Sequence, residues 1–345
     1  MTVRIFPVPG VPEVVEGDDL GRVIATALED GGLTLEGGDI LVVASKIVAK
    51  ALGLRRQTSR DEAIAAETVR VVVERTAGDR VTRIVESAAG PVMAAAGVDE
   101  SNLGPDGGVL LLPREPDAAA QDLLASLSHW LRWPSDQPLG VIISDTAGRP
   151  WRGGVVDFAL GSAGVQVLHD HRGGTDSDGR PLLVTTIAVA DEIAAAADLV
   201  KGKTGHRPVA VLRGLPWATT DPAAPGAGNL VRTGRGDWFR TGPVEAVRDA
   251  LGVAPGSRSA IEIGIRSVGL EEPARRAERA ARLALHHVAG VSSTVGWPRV
   301  DLRDGDDFAL GRALARLEVA CASEDLTVVA VERADTALTV TLADG

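Results

Sequence analysis

The sequence predicts a mixed α/β (α+β) fold with a small C-terminal α+β module, and three observations carry that prediction. Short apolar runs rich in β-branched residues alternate with helix-like stretches through the first two-thirds of the 345 residues. Glycine- and proline-rich segments punctuate the alternation at 172–180 and 216–236. Residues 260–345 then change character, with two helix patterns followed by a hairpin.

Taken in order, residues 2–6 read as a short strand. Residues 39–44, Asp-Ile-Leu-Val-Val-Ala, read as a buried one that ends at Ser45. The spacing at 60–75 predicts a helix with exposed acids and an apolar stripe. Residues 80–85 and 108–112 predict strands, 116–133 a helix and 139–144 a buried strand. A strand over 182–190 feeds a helix over 191–200, and 208–212 is the next strand. The stretch 216–236 is too long for an ordinary connection. A helix over 244–251 closes this part, and Ala-Pro-Gly-Ser-Arg-Ser at 254–259 reads as a linker. Beyond it, 271–288 and 306–322 predict helices, and 326–332 with 336–342 a hairpin. The expected domains are therefore 1–253 and 260–345.

Composition narrows the function. A net charge of −11 gives no electrostatic footprint for nucleic acid. No run of about 18 apolar residues is present to span a membrane, and Pro7 and Pro9 interrupt the N-terminus where a secretory signal would need an apolar core. The single cysteine, Cys321, excludes an internal disulfide framework. A cytoplasmic enzyme is expected. Of the 36 basic residues only four are lysine: Lys46, Lys50, Lys201 and Lys203. In so arginine-rich a chain, the surviving lysines mark positions where a compact ammonium is needed and a planar guanidinium will not serve. Chance clustering of neutral lysines is the alternative.

Four segments could carry chemistry. At 141–154 a buried strand ends in Asp145 and Thr146, followed by Gly148, Arg149, Trp151 and Arg152. Strand-end carboxylates sit where α/β proteins place ligands. Asp and Thr oxygens suit a hard cation such as Mg²⁺ or Mn²⁺, and Arg149 and Arg152 could clamp phosphate or carboxylate. A capping Asp with surface arginines is the competing reading. At 96–104, Asp99 could be a second metal carboxylate and Asn102 a ligand contact, or both could belong to an Asx-turn. At 45–50, Ser45, Lys46 and Lys50 open a helix whose lysines share a face, forming either a cationic ledge for phosphates or a solvated helix start. At 199–204, Gly202, Lys203 and Thr204 resemble the tail of a P-loop. The first glycine of that motif would have to be Ala197, so the P-loop reading fails. Lys201 there has a bland reading as a charge complementing a helix C-terminus. His169 and His171 share a strand face but have no evident third ligand.

Together, VPEV at 11–14, GDDL at 17–20, SKIVAK at 45–50, AGVD at 96–99, SDTAGRPWRG at 144–153 and VADEIAAAADLV at 189–200 resemble the coenzyme F420-0:L-glutamate ligase family over roughly residues 3–252. The resemblance implies that family's ligase fold in 1–253. It implies GTP-dependent addition of L-glutamate to the terminal carboxylate of F420-0, with further γ-linked glutamates, through an acyl phosphate. It assigns GTP contacts to Val11, Pro12, Glu13, Val14, Ser45, Lys50 and Asn102, and near them to Gly202 and Lys203. It assigns divalent metal to Asp99, Asp145 and Thr146, with two Mg²⁺ or Mn²⁺ ions, and Asp145 and Arg149 become the catalytic candidates. A K⁺ requirement and a homodimer are also implied. Related actinobacterial proteins carry an FMN-binding nitroreductase-like domain after the ligase; residues 260–345 are too short for it and show no match to it. Two other readings compete: a non-catalytic nucleotide-binding or regulatory protein on the same scaffold, and a related ligase with a different acid or amino acid.

Overall fold

The computed structural model describes residues 2–101, 107–202 and 205–345. In chain order it forms β1 (Arg4–Pro7), α1 (Leu20–Asp30), β2 (Ile40–Ala44), α2 (Ser45–Ala51), β3 (Arg55–Arg56), α3 (Arg60–Ala66), β4 (Thr68–Ala77), β5 (Arg80–Ser87), β6 (Val92–Ala94), β7 (Val109–Leu110) and α4 (Pro116–Leu131). Then come β8 (Gly140–Arg149), β9 (Arg152–Ala163), β10 (His169–Asp170), β11 (Thr186–Ile187), α5 (Val189–Lys201), β12 (Val209–Arg213), α6 (Pro243–Ala250) and α7 (Arg258–Ile263). The chain continues through α8 (Pro273–Leu285), β13 (Ser292–Gly296), β14 (Arg299–Arg303), α9 (Asp307–Ala322), β15 (Leu326–Ala334) and β16 (Ala337–Asp344). The fold is mixed α/β, and no helix among the described residues is long and apolar enough to cross a membrane.

The chain packs as two compact units. The first comprises Met1–Thr68 and Ser87–Arg232, the second Val69–Glu86 and Thr233–Gly345. This division of packing differs from boundaries at 253 and 260. The second unit takes in the β4–β5 segment and residues 233–259 as well as the tail.

The first unit is built on a five-stranded sheet in the order β1-β12-β2-β8-β9. Only β2 and β8 run parallel, in a register that ends Ala44 opposite Ser144. Alternation along β2 and β8 sends Leu41, Val43, Val141 and Ile143 to one face, into a core shared with Ile24, Leu28, Leu123 and Leu127. Ile40, Val42 and Ile142 face the other way, against Ile193, Ala194 and Ala197 of α5. Both faces are covered, so these strands read as continuous apolar runs rather than as alternating patterns. Gly21 allows α1 to meet α4 closely, since a Cβ there would stand 2.6 Å from the Leu127 backbone nitrogen.

The second unit holds an antiparallel sheet, β13-β14-β16-β15. Its core joins Ala277, Ala280 and Leu283 of α8, Ala313 and Leu317 of α9, and the strand residues Val300, Leu302 and Val340. Glu324 is wholly buried beneath this layer and receives Arg279 Nε on both oxygens, at 3.0 and 2.9 Å. The same guanidinium donates to both oxygens of Glu271 at 2.9 and 2.8 Å. Burial works against the Arg279 charge, but the two carboxylates outweigh it and hold its pKa above the ordinary arginine range.

Several expected elements change. The helix predicted over 60–75 stops at Ala66. Ser59 and Glu62 close its N-terminus as a capping box, and Thr68–Ala77 is a strand. The Val-Arg-Val-Val-Val run at 69–73 favours extended backbone over one more helical turn. The strand predicted over 182–190 is confined to Thr186–Ile187, and α5 begins at Val189. The stretch at 254–259 is no free linker: Val253 is buried, Gly256 N–H donates to Glu74 at 3.1 Å, and Ser257 caps α7. The strand predicted over 139–144 runs on to Arg149 and turns back as β9, so Asp145 and Thr146 lie within a hairpin rather than at a strand-to-loop junction.

Candidate functional site

The parallel pairing of β2 and β8 builds the centre of the site. Because Ala44 lies opposite Ser144, the next residue of each chain, Ser45 and Asp145, comes to the same sheet edge. Buried Ser45 donates its hydroxyl to Asp145 Oδ1 at 3.1 Å. Burial drives the Asp145 carboxyl up to about 6. The Thr146 N–H and the Ser45 hydroxyl oppose the shift, while the charges of Asp157 and Asp99 add to it. Among the described residues no lysine or arginine is ion-paired with Asp145.

Around that carboxylate the sequence-predicted residues fall into groups. Lys46, on the first turn of α2, pairs with Asp99 Oδ2 at 2.7 Å and donates to the Ser101 hydroxyl at 2.7 Å. Burial alone would raise the Asp99 pKa, but Lys46 and the Ser101 N–H and hydroxyl reverse this and hold it low. Lys50, one turn on, pairs with Glu13. The loop of Val11, Pro12, Glu13 and Val14 is thereby tied to α2, with Val14 buried and Pro12 and Glu13 exposed. Both α2 lysines thus carry a carboxylate partner, where the sequence offered either a cationic ledge for phosphates or a solvated helix start. Gly202 ends α5 at φ 60° and ψ 171°, a conformation open essentially to glycine alone. Arg149, at the end of β8, is exposed. Asn102 and Lys203 lie outside the described residues.

Two further residues at this edge, Asp157 and Lys201, were given no site role by the sequence. Asp157 of β9 stands directly across the ladder from Thr146, whose hydroxyl donates to Asp157 Oδ1 at 2.7 Å. Asp157 Oδ2 receives the Ser144 hydroxyl at 2.9 Å and the Lys201 ammonium at 2.8 Å, and Lys201 also donates to Ser144 Oγ at 2.6 Å. Lys201 stands in the last turn of α5, where a charge complementing the helix C-terminus was expected, but it is 3 % exposed and its ammonium is taken by Asp157 and Ser144. Burial pushes the Asp157 carboxyl up, but Lys201 and the two hydroxyls more than offset it and keep the group ionised. The rarity of lysine was the one signal for Lys201. Nothing in the glycine-broken 152–163 stretch marked Asp157. A cavity of about 410 Å³ opens beside Asp157, lined by Met93, Arg149, Phe158, Asp191 and Glu192 among others.

The donors at this edge are carboxylate and hydroxyl oxygens, which suit hard cations. A half-buried carboxylate with hydroxyl and amide partners, its pKa raised by desolvation and further by two neighbouring acids, is a place where a bound cation would relieve the charge. The residues therefore fit a divalent metal. No cluster of three or more His, Cys, Asp or Glu occurs among the described residues. A site here would combine two carboxylates with a hydroxyl, and His169 and His171, whose rings lie 4.0 Å apart, do not add to it.

Fold and site together define an α/β protein that gathers oxygen donors and lysines where parallel strands end, the usual ligand position of such sheets. Residues 10–214 match the family model described as F420-0:Gamma-glutamyl ligase, which is more than half the chain, and the protein belongs to that family. It is 39% identical over 238 residues to the coenzyme F420:L-glutamate ligase of Methanothermobacter thermautotrophicus, covering 63% of this chain and 91% of that one. Its identity to the coenzyme F420:L-glutamate ligase of Methanopyrus kandleri is 40% over 233 residues, covering 62% and 88%. For the enzyme of the same name from Archaeoglobus fulgidus it is 39% over 231 residues, covering 62% and 89%.

Proposed function

We propose that this protein ligates L-glutamate to coenzyme F420-0, using GTP and releasing GDP and phosphate, and then adds further γ-linked glutamates. The observation that carries the reading is Asp145, a half-buried residue whose carboxylate lacks a cationic partner among the described residues and which lies within the matched stretch 10–214. A carboxylate does not react with an amine at neutral pH until one of its oxygens can leave. The γ-phosphoryl group passes to the terminal carboxylate of F420-0, giving an acyl phosphate and GDP. The glutamate amine then attacks the acyl carbon, the carbon–oxygen bond breaks, phosphate departs and the amine loses a proton. Such a transfer asks the protein for alignment and charge neutralisation more than for a nucleophile.

The chain's residues divide that work. Ser45, Lys50 and the Val11–Val14 loop would contact GTP, with Lys50 exchanging Glu13 for phosphate oxygens. Asn102, Gly202 and Lys203 complete that set in the proposal. Asp99, Asp145 and Thr146 would hold Mg²⁺ or Mn²⁺, which when bound neutralises phosphate charge and acts as a Lewis acid. Lys46 keeps Asp99 ionised and orients it. Arg149 lines the cavity beside Asp157 and can take a carboxylate or phosphate in bidentate fashion. A K⁺ requirement, a homodimer and a cytoplasmic setting belong to the same proposal. The test is incubation of the purified protein with F420-0, GTP, L-glutamate, Mn²⁺ and K⁺, read by mass spectrometry and GDP release. Glutamate adducts that depend on GTP are expected. Neither adduct nor GDP would favour a non-catalytic nucleotide-binding protein, and GDP released only with another acid or amino acid would favour a ligase of different substrate.

A further inference from the structure

We propose that the cavity along the outer edge of β9 is the subsite for the incoming amino acid, where Asp191 receives the α-ammonium of L-glutamate and Arg149 and Arg152 its two carboxylates. The inference rests on the ligase reading above and names the residues that hold one of its substrates. β9 is the last strand of the five-stranded sheet. The cavity of about 410 Å³ runs beside Val156, Asp157 and Phe158 of that strand, a size suited to a small molecule. It also adjoins the oxygen-donor site. Phe158 is the ladder partner of Asp145, and Ala147, a further lining residue, lies two places along β8 from it. Ladder partners and alternate residues share a face, so the side chains of Phe158 and Ala147 project to the side that Asp145 occupies.

Three charges at and beside this cavity lack an internal match. Asp191, in the first turn of α5, is half-buried and accepts the Ala159 N–H on Oδ1 at 3.0 Å, but among the described residues no cation pairs with it. Burial pushes its carboxyl upward. Arg149 lines the same cavity, and its partner across the ladder is another arginine, Arg152. Like charges directly opposite repel, and among the described residues neither arginine has an acid partner. An anion held by both would remove the repulsion. L-Glutamate carries one ammonium and two carboxylates, the complement of one aspartate and two arginines. A nucleoside triphosphate, and the carboxylate that becomes the acyl phosphate, offer Asp191 no cation. Glu192, which lines the cavity from the same helical turn, sharpens that discrimination. The helix dipole alone favours an acid in the first turn, and the Ala159 bond gives Asp191 a structural role at the strand edge. Asparagine separates these roles from substrate binding, because its carbonyl still accepts the Ala159 N–H but carries no charge.

The test is steady-state kinetics of the full-length protein with F420-0, GTP, Mn²⁺ and K⁺, using glutarate, which lacks the amine, as an inhibitor against L-glutamate. Asp191→Asn is expected to raise KM for L-glutamate about 10- to 100-fold and to change kcat by less, while inhibition by glutarate stays within about threefold of wild type. Arg149→Gln and Arg152→Gln should each raise KM for L-glutamate about tenfold and weaken glutarate by a similar factor. An unchanged KM for L-glutamate in Asp191→Asn, or a loss of glutarate inhibition that matches the rise in KM, would overturn the proposal. So would arginine variants that raise KM for GTP or F420-0 instead, which would place the two guanidinium groups on a phosphate or on the acceptor carboxylate. Should Asp191→Asn fail to fold, the double variant Arg149→Gln with Arg152→Gln, in which both positions are exposed, decides through KM for L-glutamate and inhibition by glutarate. A wild-type protein that forms no glutamate adduct would instead overturn the ligase reading on which the proposal stands.

Discussion

Two enclosed carboxylates, Glu324 in the second unit and Asp145 in the first, are treated in opposite ways. Glu324, in the second unit, is fully enclosed and receives Arg279 on both oxygens, while Glu271 takes the other side of the same guanidinium. Asp145, in the first unit, has a hydroxyl and an amide for company; desolvation raises its pKa, and two further acids add to the rise. Asp39, at the opposite end of β2, and Asp157 are matched by Arg213 at 2.7 Å and Lys201 at 2.8 Å, whereas Asp191 shares the shortage, its pKa raised by burial with the Ala159 N–H in answer. A buried acid that is matched internally fixes structure. One left short of positive charge carries an electrostatic cost in the free protein that an incoming cation can relieve.

The sharpest way to break this contrast is to remove each charge in turn. Glu324→Gln leaves Arg279 facing Glu271 alone and is expected to destabilise the second unit by about 3–5 kcal/mol, measured by chemical denaturation. Equal stability of variant and wild type would show that the Glu324 network is ornamental. Asp145→Asn should do the reverse to the first unit. Turnover is expected to fall about 100- to 1000-fold, as when one electrostatic partner of a reacting group is deleted, while the cation-free protein gains stability at neutral pH. The sign follows from the raised carboxyl. Folded Asp145 titrates at about 6, against an ordinary value of 3.8, so its contribution favours the fold below about pH 4 and is lost as pH rises through 6. The gain from Asp145→Asn should therefore be absent at pH 4 and reach on the order of 1–3 kcal/mol at pH 8. Melting curves at both pH values that shift equally would place the Asp145 carboxyl in an ordinary environment. The smallest effect concerns α2. Lys50→Arg keeps the charge opposite Glu13 but changes its shape, and a rise of about tenfold in KM for GTP is expected. An unaltered KM would mean that the lysine survived at this position by chance.

Much of the first unit was legible because its strands are buried on both faces. The β-branched run at 40–44 and the helix at 116–131 announce themselves without any knowledge of their neighbours. Asp145, Thr146, Ser45 and Asp99 could be named because strand ends and glycine-bounded loops leave local marks. What stayed hidden depends on partners distant in sequence. Residues 68–77 alternate only imperfectly, and extended backbone prevails over the helix suggested by the preceding turn. Asp157 becomes meaningful only once the hairpin brings it opposite Thr146. Lys201 was visible as a rare residue, but its burial depends on Ser144 lying 57 positions away.

The split composition of the second unit sets a schedule for synthesis. Residues 69–86 leave the ribosome early, yet the rest of their unit begins only at Thr233. At roughly 5–20 residues per second, the intervening 146 residues take about 7–30 s to be made. For that interval the outer edge of β4 waits without residues 242 and 266–268, which later bond to it, while the first unit already has most of its chain. A nascent chain stalled between 233 and 345 would display that edge persistently, which makes it the natural target of chaperone and protease surveillance for unfinished copies.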